Sequence, residues 1–182
     1  LCSPLVVDPN GKFGLGFVRD KNGNQQTLDV PGSVATWPLG ISNHGHGPVV
    51  VGFYWNEPGD FHCFFYDGIG AYYTLDFPGA SATYCDGITT SGWIVGEFII
   101  DDPDTNELIE NGWFVYYNGQ YYVLQSSLAT TNPTRFKDIN DLRQIIGANF
   151  NTNTLVLYDD GIFYNVPLPG GWLLNTIGGL NN

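Results

Sequence analysis

Methionine is absent from the 182 residues, lysine and arginine together number six, and cysteine numbers three. The shortage of cations, set against 18 Asp and Glu and a net charge of -12, excludes recognition of phosphate backbones, which needs clustered Lys and Arg. Anionic membranes are equally poor partners. No stretch reaches the 18 or more apolar residues of a membrane helix, and the first residues, Leu1 to Pro9, lack the charged leading region of a signal peptide. Together with the missing initiator Met, this gives the expectation of a soluble mature fragment, either processed at its N-terminus or starting inside a longer chain; cleavage would suit an exported protein. Charged residues are only 13% of the chain, but 43% hydrophobic and 15% aromatic content excludes intrinsic disorder. No Cys-x-x-Cys spacing occurs, so structural zinc and haem attachment are not expected.

What is abundant is turn-forming residues, 24 Gly and 11 Pro, and they recur with a period. Hairpin glycines stand at Gly23, Gly70, Gly119 and Gly161. Five residues after each comes an apolar residue, Leu28, Leu75, Leu124 and Val166; six before each comes another, Phe17, Phe64, Trp113 and Leu155. A third strand is expected to open at Gly40-Ile41, Gly87-Ile88, Asp138-Ile139 and Gly179-Leu180, and a fourth at Val50-Val51-Gly52, Ile94-Val95-Gly96 and Ile145-Ile146-Gly147. These short segments are rich in β-branched and aromatic residues, with no helical periodicity between them. Val30-Pro31-Gly32-Ser33 and Phe77-Pro78-Gly79-Ala80 place Pro and Gly as the central pair of a type II turn.

An all-β fold follows: a small β-propeller of about four four-stranded blades in one domain, residues 1–182, with repeats at about 13–60, 61–110, 111–153, and 154–182 plus 1–12. The fourth repeat lacks its last strand, and Leu5-Val6-Val7-Asp8 matches that strand in pattern. The N-terminal strand is therefore expected to close the ring, removing an edge that would template aggregation.

The second repeat reads His62-Cys63-Phe64-Phe65-Tyr66-Asp67, Thr74-Leu75-Asp76-Phe77-Pro78-Gly79-Ala80, Gly87-Ile88 and Ile94-Val95-Gly96. This pattern resembles the bacterial extracellular repeats called the HAF family, over nearly the whole chain. The first repeat keeps Thr27-Leu28-Asp29-Val30-Pro31-Gly32 but replaces the opening His with Gly16; the third and fourth lose the Asp-x-Pro-Gly turn. The resemblance implies export and modularity and implies no reaction.

In a repeat protein, residues recurring at one position serve the blade, and those that break the pattern are the better functional candidates. Asp29 and Asp76 recur, which argues against a catalytic pair. Asp102, Asp104 and Asn106 break the pattern and supply oxygens at alternate positions, the spacing calcium uses, but the required Gly is replaced by Glu107. Calcium binding and a solvated acidic turn both stand open there. His44-Gly45-His46 offers two imidazoles with no third ligand in view. No Gly-x-Ser-x-Gly elbow occurs and no catalytic residues are assigned.

The pairs Tyr72-Tyr73, Tyr121-Tyr122 and Phe163-Tyr164 are equivalent, so one ring of each is expected inside and the other outside. Outward Tyr73, Tyr122 and Tyr164, with the less regular Trp37, form the candidate ligand-binding set, suited to stacking on sugars or on a partner chain. The cysteines allow one disulfide or an intermolecular bond; Cys63 with Cys85 is the preferred pairing, leaving Cys2 for another subunit.

The function expected is a secreted, non-enzymatic binding or structural module of the cell surface or an extracellular assembly, polymerising by exchange of its terminal strand. A carbohydrate-binding, lectin-like propeller is the alternative, and an exported hydrolase the third. Partners are protein subunits or glycans, without nucleic acid and without membrane insertion.

Overall fold

The computed structural model describes residues 14–19, 22–44, 47–124, 134–150, 152–174 and 177–180. It is all-β, with no helix among the described residues, and has a β-propeller-like architecture. Strands β1 (Gly16–Arg19) and β2 (Gln25–Leu28) form an antiparallel pair. A first four-stranded sheet runs in order β3 (Ala35–His44), β4 (Gly47–Trp55), β5 (Phe61–Tyr66) and β6 (Tyr72–Thr74). A second comprises β7 (Ala82–Ile88), β8 (Ile94–Asp101), β9 (Leu108–Tyr117) and β10 (Gln120–Leu124). The third comprises β11 (Thr134–Ile139), β12 (Ile145–Asn149), β13 (Thr154–Asp159) and β14 (Ile162–Pro167). Each sheet thus takes its first two strands from one sequence repeat and its last two from the next. The Leu5–Asp8 segment and Cys2 lie outside the described residues, as does most of His44-Gly45-His46.

Why these runs form strands packed on both faces is visible in β4. Val49 and Val51 enter a core shared with Cys85, Ile88, Ile94 and Phe98 of the second sheet. Val50, between them, enters a core with Val18, Leu28 and Phe64 on the opposite side. The period-two alternation splits one apolar run between two neighbouring sheets, as strands covered on both faces require. In β8, Ile94 and Val95 divide in the same way, Val95 joining Trp113, Phe136 and Ile145. Burying each such side chain contributes roughly 1.5–3 kcal/mol.

The strands β3, β7 and β11 lie side by side at the centre. The β3–β7 approach is so close that a Cβ on Gly40 would stand 2.9 Å from the Gly87 Cα. Gly87 in turn lies against Asp138, and Gly179 against the Asp138 carboxylate, whose Oδ2 accepts the Leu180 N–H at 2.8 Å. The Gly-Ile pairs therefore sit within the central strands instead of opening them, because β3 and β7 begin five residues earlier, at Ala35 and Ala82.

The Pro-Gly corners adopt the expected turn: Gly32 and Gly79 have φ of 83° and 81°, and the Ser33 and Ala80 amides donate to the Val30 and Phe77 carbonyls at 3.1 and 3.0 Å. Each corner is tied to the next strand by a threonine, Thr36 Oγ1 accepting from Val30 N and Thr83 Oγ1 from Phe77 N. One spacing series needs correction. Gly52, Gly96 and Gly147 pair with Phe64, Phe114 and Val156, so Phe114 and Val156 are the counterparts of Phe64, one residue after Trp113 and Leu155. The slip arises at the hairpins: five residues, Asp67 to Ala71, link β5 to β6, whereas Asn118-Gly119 and Asp160-Gly161 make two-residue turns with both φ positive.

With the register corrected, one pair of positions recurs between neighbouring sheets. Gly16 presses on Pro38, Cys63 is bonded to Cys85 with their Cα atoms 5.3 Å apart, and Trp113 meets Phe136 edge to face at 5.4 Å. Leu155 and Ile177, the next pair in the series, line a common cavity.

Candidate functional site

Each central strand carries a register shift at the same place, between Pro38 and Gly40, Cys85 and Gly87, and Phe136 and Asp138. The shift leaves Leu39, Asp86 and Lys137 as extra residues, and such bulges re-aim side chains. All three line one cavity of about 490 Å³. Two further sets of equivalent positions join them: Trp37, Tyr84 and Arg135 from the central strands, and Phe53 and Glu97 from the strands paired to them.

The chemistry of this axial cavity changes from sheet to sheet. The first contributes Trp37, Leu39 and Phe53, the second Tyr84, Asp86, Glu97 and Ile99, the third Arg135, Phe136 and Lys137, with Phe150 and Ile177 completing the lining. The first wall is wholly apolar, and the carboxylates and cations of the other two are interleaved with apolar residues. Trp37 stacks on Phe53 at 5.9 Å, and Phe53 meets Tyr84 edge to face at 5.1 Å.

Across the cavity Lys137 Nζ reaches Asp86 Oδ1 at 3.1 Å, the Asp86 side chain being 11% exposed. Burial pushes the Asp86 carboxyl up, with Lys137 opposing. Burial also pushes Glu97 up to about 6, and the Asp86 charge adds to the effect. Tyr84 is raised to about 12, by burial first and then by Glu97.

Of the ligand-binding residues expected from sequence, only Trp37 lies at this cavity. Tyr73, Tyr122 and Tyr164 are 52%, 51% and 46% exposed on the outer strands, while Tyr121 packs on Phe77 and Phe114 and Phe163 on Phe136. Tyr122 lines a separate groove of about 450 Å³ with Trp93, Arg143 and Tyr158. There Trp93 stacks on Tyr117 at 4.2 Å and 3°, and the Arg143 guanidinium stands 5.6 Å over the indole.

The acidic segment is the hairpin loop between β8 and β9. Asp102 Oδ1 accepts the Asp104 and Thr105 amides at 2.9 and 3.0 Å, bonds that hold its carboxyl below the usual range, and Asn106 turns the chain with φ of 55°. Among the described residues, no three His, Cys, Asp or Glu side chains converge as a metal site.

Of the recurring acids, Asp76 is bonded within its own sheet. Asp76 Oδ2 binds His62 Nδ1 at 2.7 Å and its Oδ1 accepts the Cys63 amide, while His62 Nε2 lies 3.0 Å from Asp60. Burial works against the charged His62 ring, but Asp76 and then Asp60 outweigh it and raise its pKa.

Neither a family model nor a curated protein matches the chain.

Apart from Trp37, the cavity's residues give no repeat signal in the sequence, because they differ in every repeat. Their signal was positional: Leu39, Asp86 and Lys137 each immediately precede the aligned Gly40, Gly87 and Asp138.

Proposed function

We propose that the protein is a secreted, non-enzymatic structural module of an extracellular assembly, joined to its neighbours by a donated terminal strand. The observation that carries this reading is an unequal strand inventory. Three sheets have four strands, whereas β1 and β2 stand as a pair among the described residues. The segment 177–180, held against Asp138, occupies the central position that Gly40 and Gly87 occupy in the first two sheets. Leu5-Val6-Val7-Asp8 has the sequence pattern of a strand that would extend the β1–β2 pair, whether from its own chain or from a neighbour's.

A donated strand makes the same main-chain hydrogen bonds whether it comes from its own chain or the next, and head-to-tail donation grows a filament because the contact does not close on itself. The resemblance to exported repeats and the acidic, cation-poor composition accord with an extracellular setting. Deleting residues 1–12 is expected to abolish assembly visible by negative-stain electron microscopy; filaments persisting in the truncated chain contradict the reading.

The groove at Trp93, Tyr117 and Tyr122 favours a second reading, glycan binding on an aromatic platform. A glycan array run with and without calcium tests it, with Tyr122→Ala expected to erase any signal.

A further inference from the structure

The axial cavity is not absorbed by strand donation, and its charges are unusual for a purely structural channel. Asp86 and Lys137 satisfy one another. Glu97, part-buried, and Arg135, exposed, have no side-chain hydrogen bond or ion pair to any described residue, and both line the cavity. A part-buried carboxylate and an exposed guanidinium that line one cavity without bonding to each other leave opposite charges available to a ligand.

We propose that this cavity binds a small zwitterion of the α-amino-acid class with an aromatic or large apolar side chain. The meeting of aromatic, acidic and basic side chains in one cavity carries the inference. A ligand side chain would lie on Trp37 and Phe53, its ammonium would face Glu97 and Asp86, and its carboxylate would face Arg135 and Lys137. In such a molecule the side chain, the ammonium and the carboxylate all branch from one carbon, so three groups can meet three kinds of lining side chain at once. The 490 Å³ volume lies within the range of small-ligand sites.

Other ligand classes fit less well. A neutral sugar satisfies the aromatic wall and leaves both charges unmatched. A simple anion or cation meets one charged wall and is repelled by the other. The bulge explains why the site exists: Asp86 and Lys137 are the extra residues of their strands, so the central ladders continue past them.

Isothermal titration calorimetry of the full chain tests the proposal, using L-phenylalanine, phenethylamine, 3-phenylpropionate and glucose. Phenylalanine is expected to bind, and each of the other three to bind at least ~10-fold more weakly, the loss of one charge-assisted contact. Glu97→Gln should weaken phenylalanine by about 10-fold and leave 3-phenylpropionate unchanged; Arg135→Gln should weaken it similarly and leave phenethylamine unchanged. An unaltered circular dichroism spectrum establishes that each variant is folded.

Three results overturn the proposal: no heat with phenylalanine up to about 10 mM, equal affinity for a singly charged analogue or glucose, or folded variants that bind phenylalanine within about two-fold of the parent chain. Assembly is read separately from particle mass, so failure here leaves strand donation standing, and the reverse also holds.

Discussion

Cys63 and Cys85 are bonded across the same inter-sheet position that Trp113 and Phe136 fill one sheet later. The disulfide is thus one of several solutions to a recurring packing problem, with Gly16 against Pro38 as another. Its closed segment, 22 residues apart in sequence, gives an expected loss of about 3 kcal/mol for Cys63→Ala with Cys85→Ala, through the entropy of the unfolded chain and the buried volume removed. Urea unfolding of the oxidised chain and of the double variant checks this; equal midpoints contradict it.

Glu97 is expected to destabilise the fold at neutral pH. Its carboxyl titrates near 6 when folded, above its ordinary 4.5, so the folded state binds more protons between those values and stability rises as pH falls through that window. Glu97→Gln should therefore stabilise the chain by about 2 kcal/mol at pH 7, with the gain shrinking toward pH 4.5. A melting-temperature series against pH for both proteins reads the difference directly.

His62 carries the same sign by a different route. Its pKa is raised by Asp76 and Asp60, so its stabilising contribution is fully present below the ordinary histidine value and is lost as pH rises through the folded one. His62→Gln should cost about 1 kcal/mol near pH 5 and less near pH 8. A loss that is larger at the alkaline end contradicts the ion-pair assignment.

Gly52 is expected to tolerate no side chain. A Cβ there would stand 2.0 Å from the Trp37 carbonyl oxygen across the β3–β4 ladder, so Gly52→Ala must move backbone and should cost about 3 kcal/mol or more. Gly79→Ala tests a different cost, since its Cβ would meet nothing within 4 Å and only its φ of 81° is unfavourable. That substitution should cost about 1 kcal/mol, measured by the same unfolding curves.

The fold was legible in residues whose demands are local. Pro31-Gly32 and Pro78-Gly79 specify their turns, Val49-Val50-Val51 announces a strand packed on both faces, and the tyrosine pairs divide between inside and outside as alternation requires. Spacing misled where hairpin length changed: counting back from Gly119 and Gly161 reaches Trp113 and Leu155, while pairing selects Phe114 and Val156. The axial cavity was not legible, because it depends on a one-residue shift in three separate ladders. Only once Leu39, Asp86 and Lys137 are seen as extra residues does their convergence become apparent.

Strand donation is tested most directly by the mass of the full chain in solution, measured by light scattering over a dilution series beside the chain lacking residues 1–12. Donation between neighbours predicts species at multiples of 20.0 kDa that grow with concentration for the full chain and vanish on truncation. A full chain that stays at 20.0 kDa throughout the dilution series, monomeric like the truncated one, would contradict it.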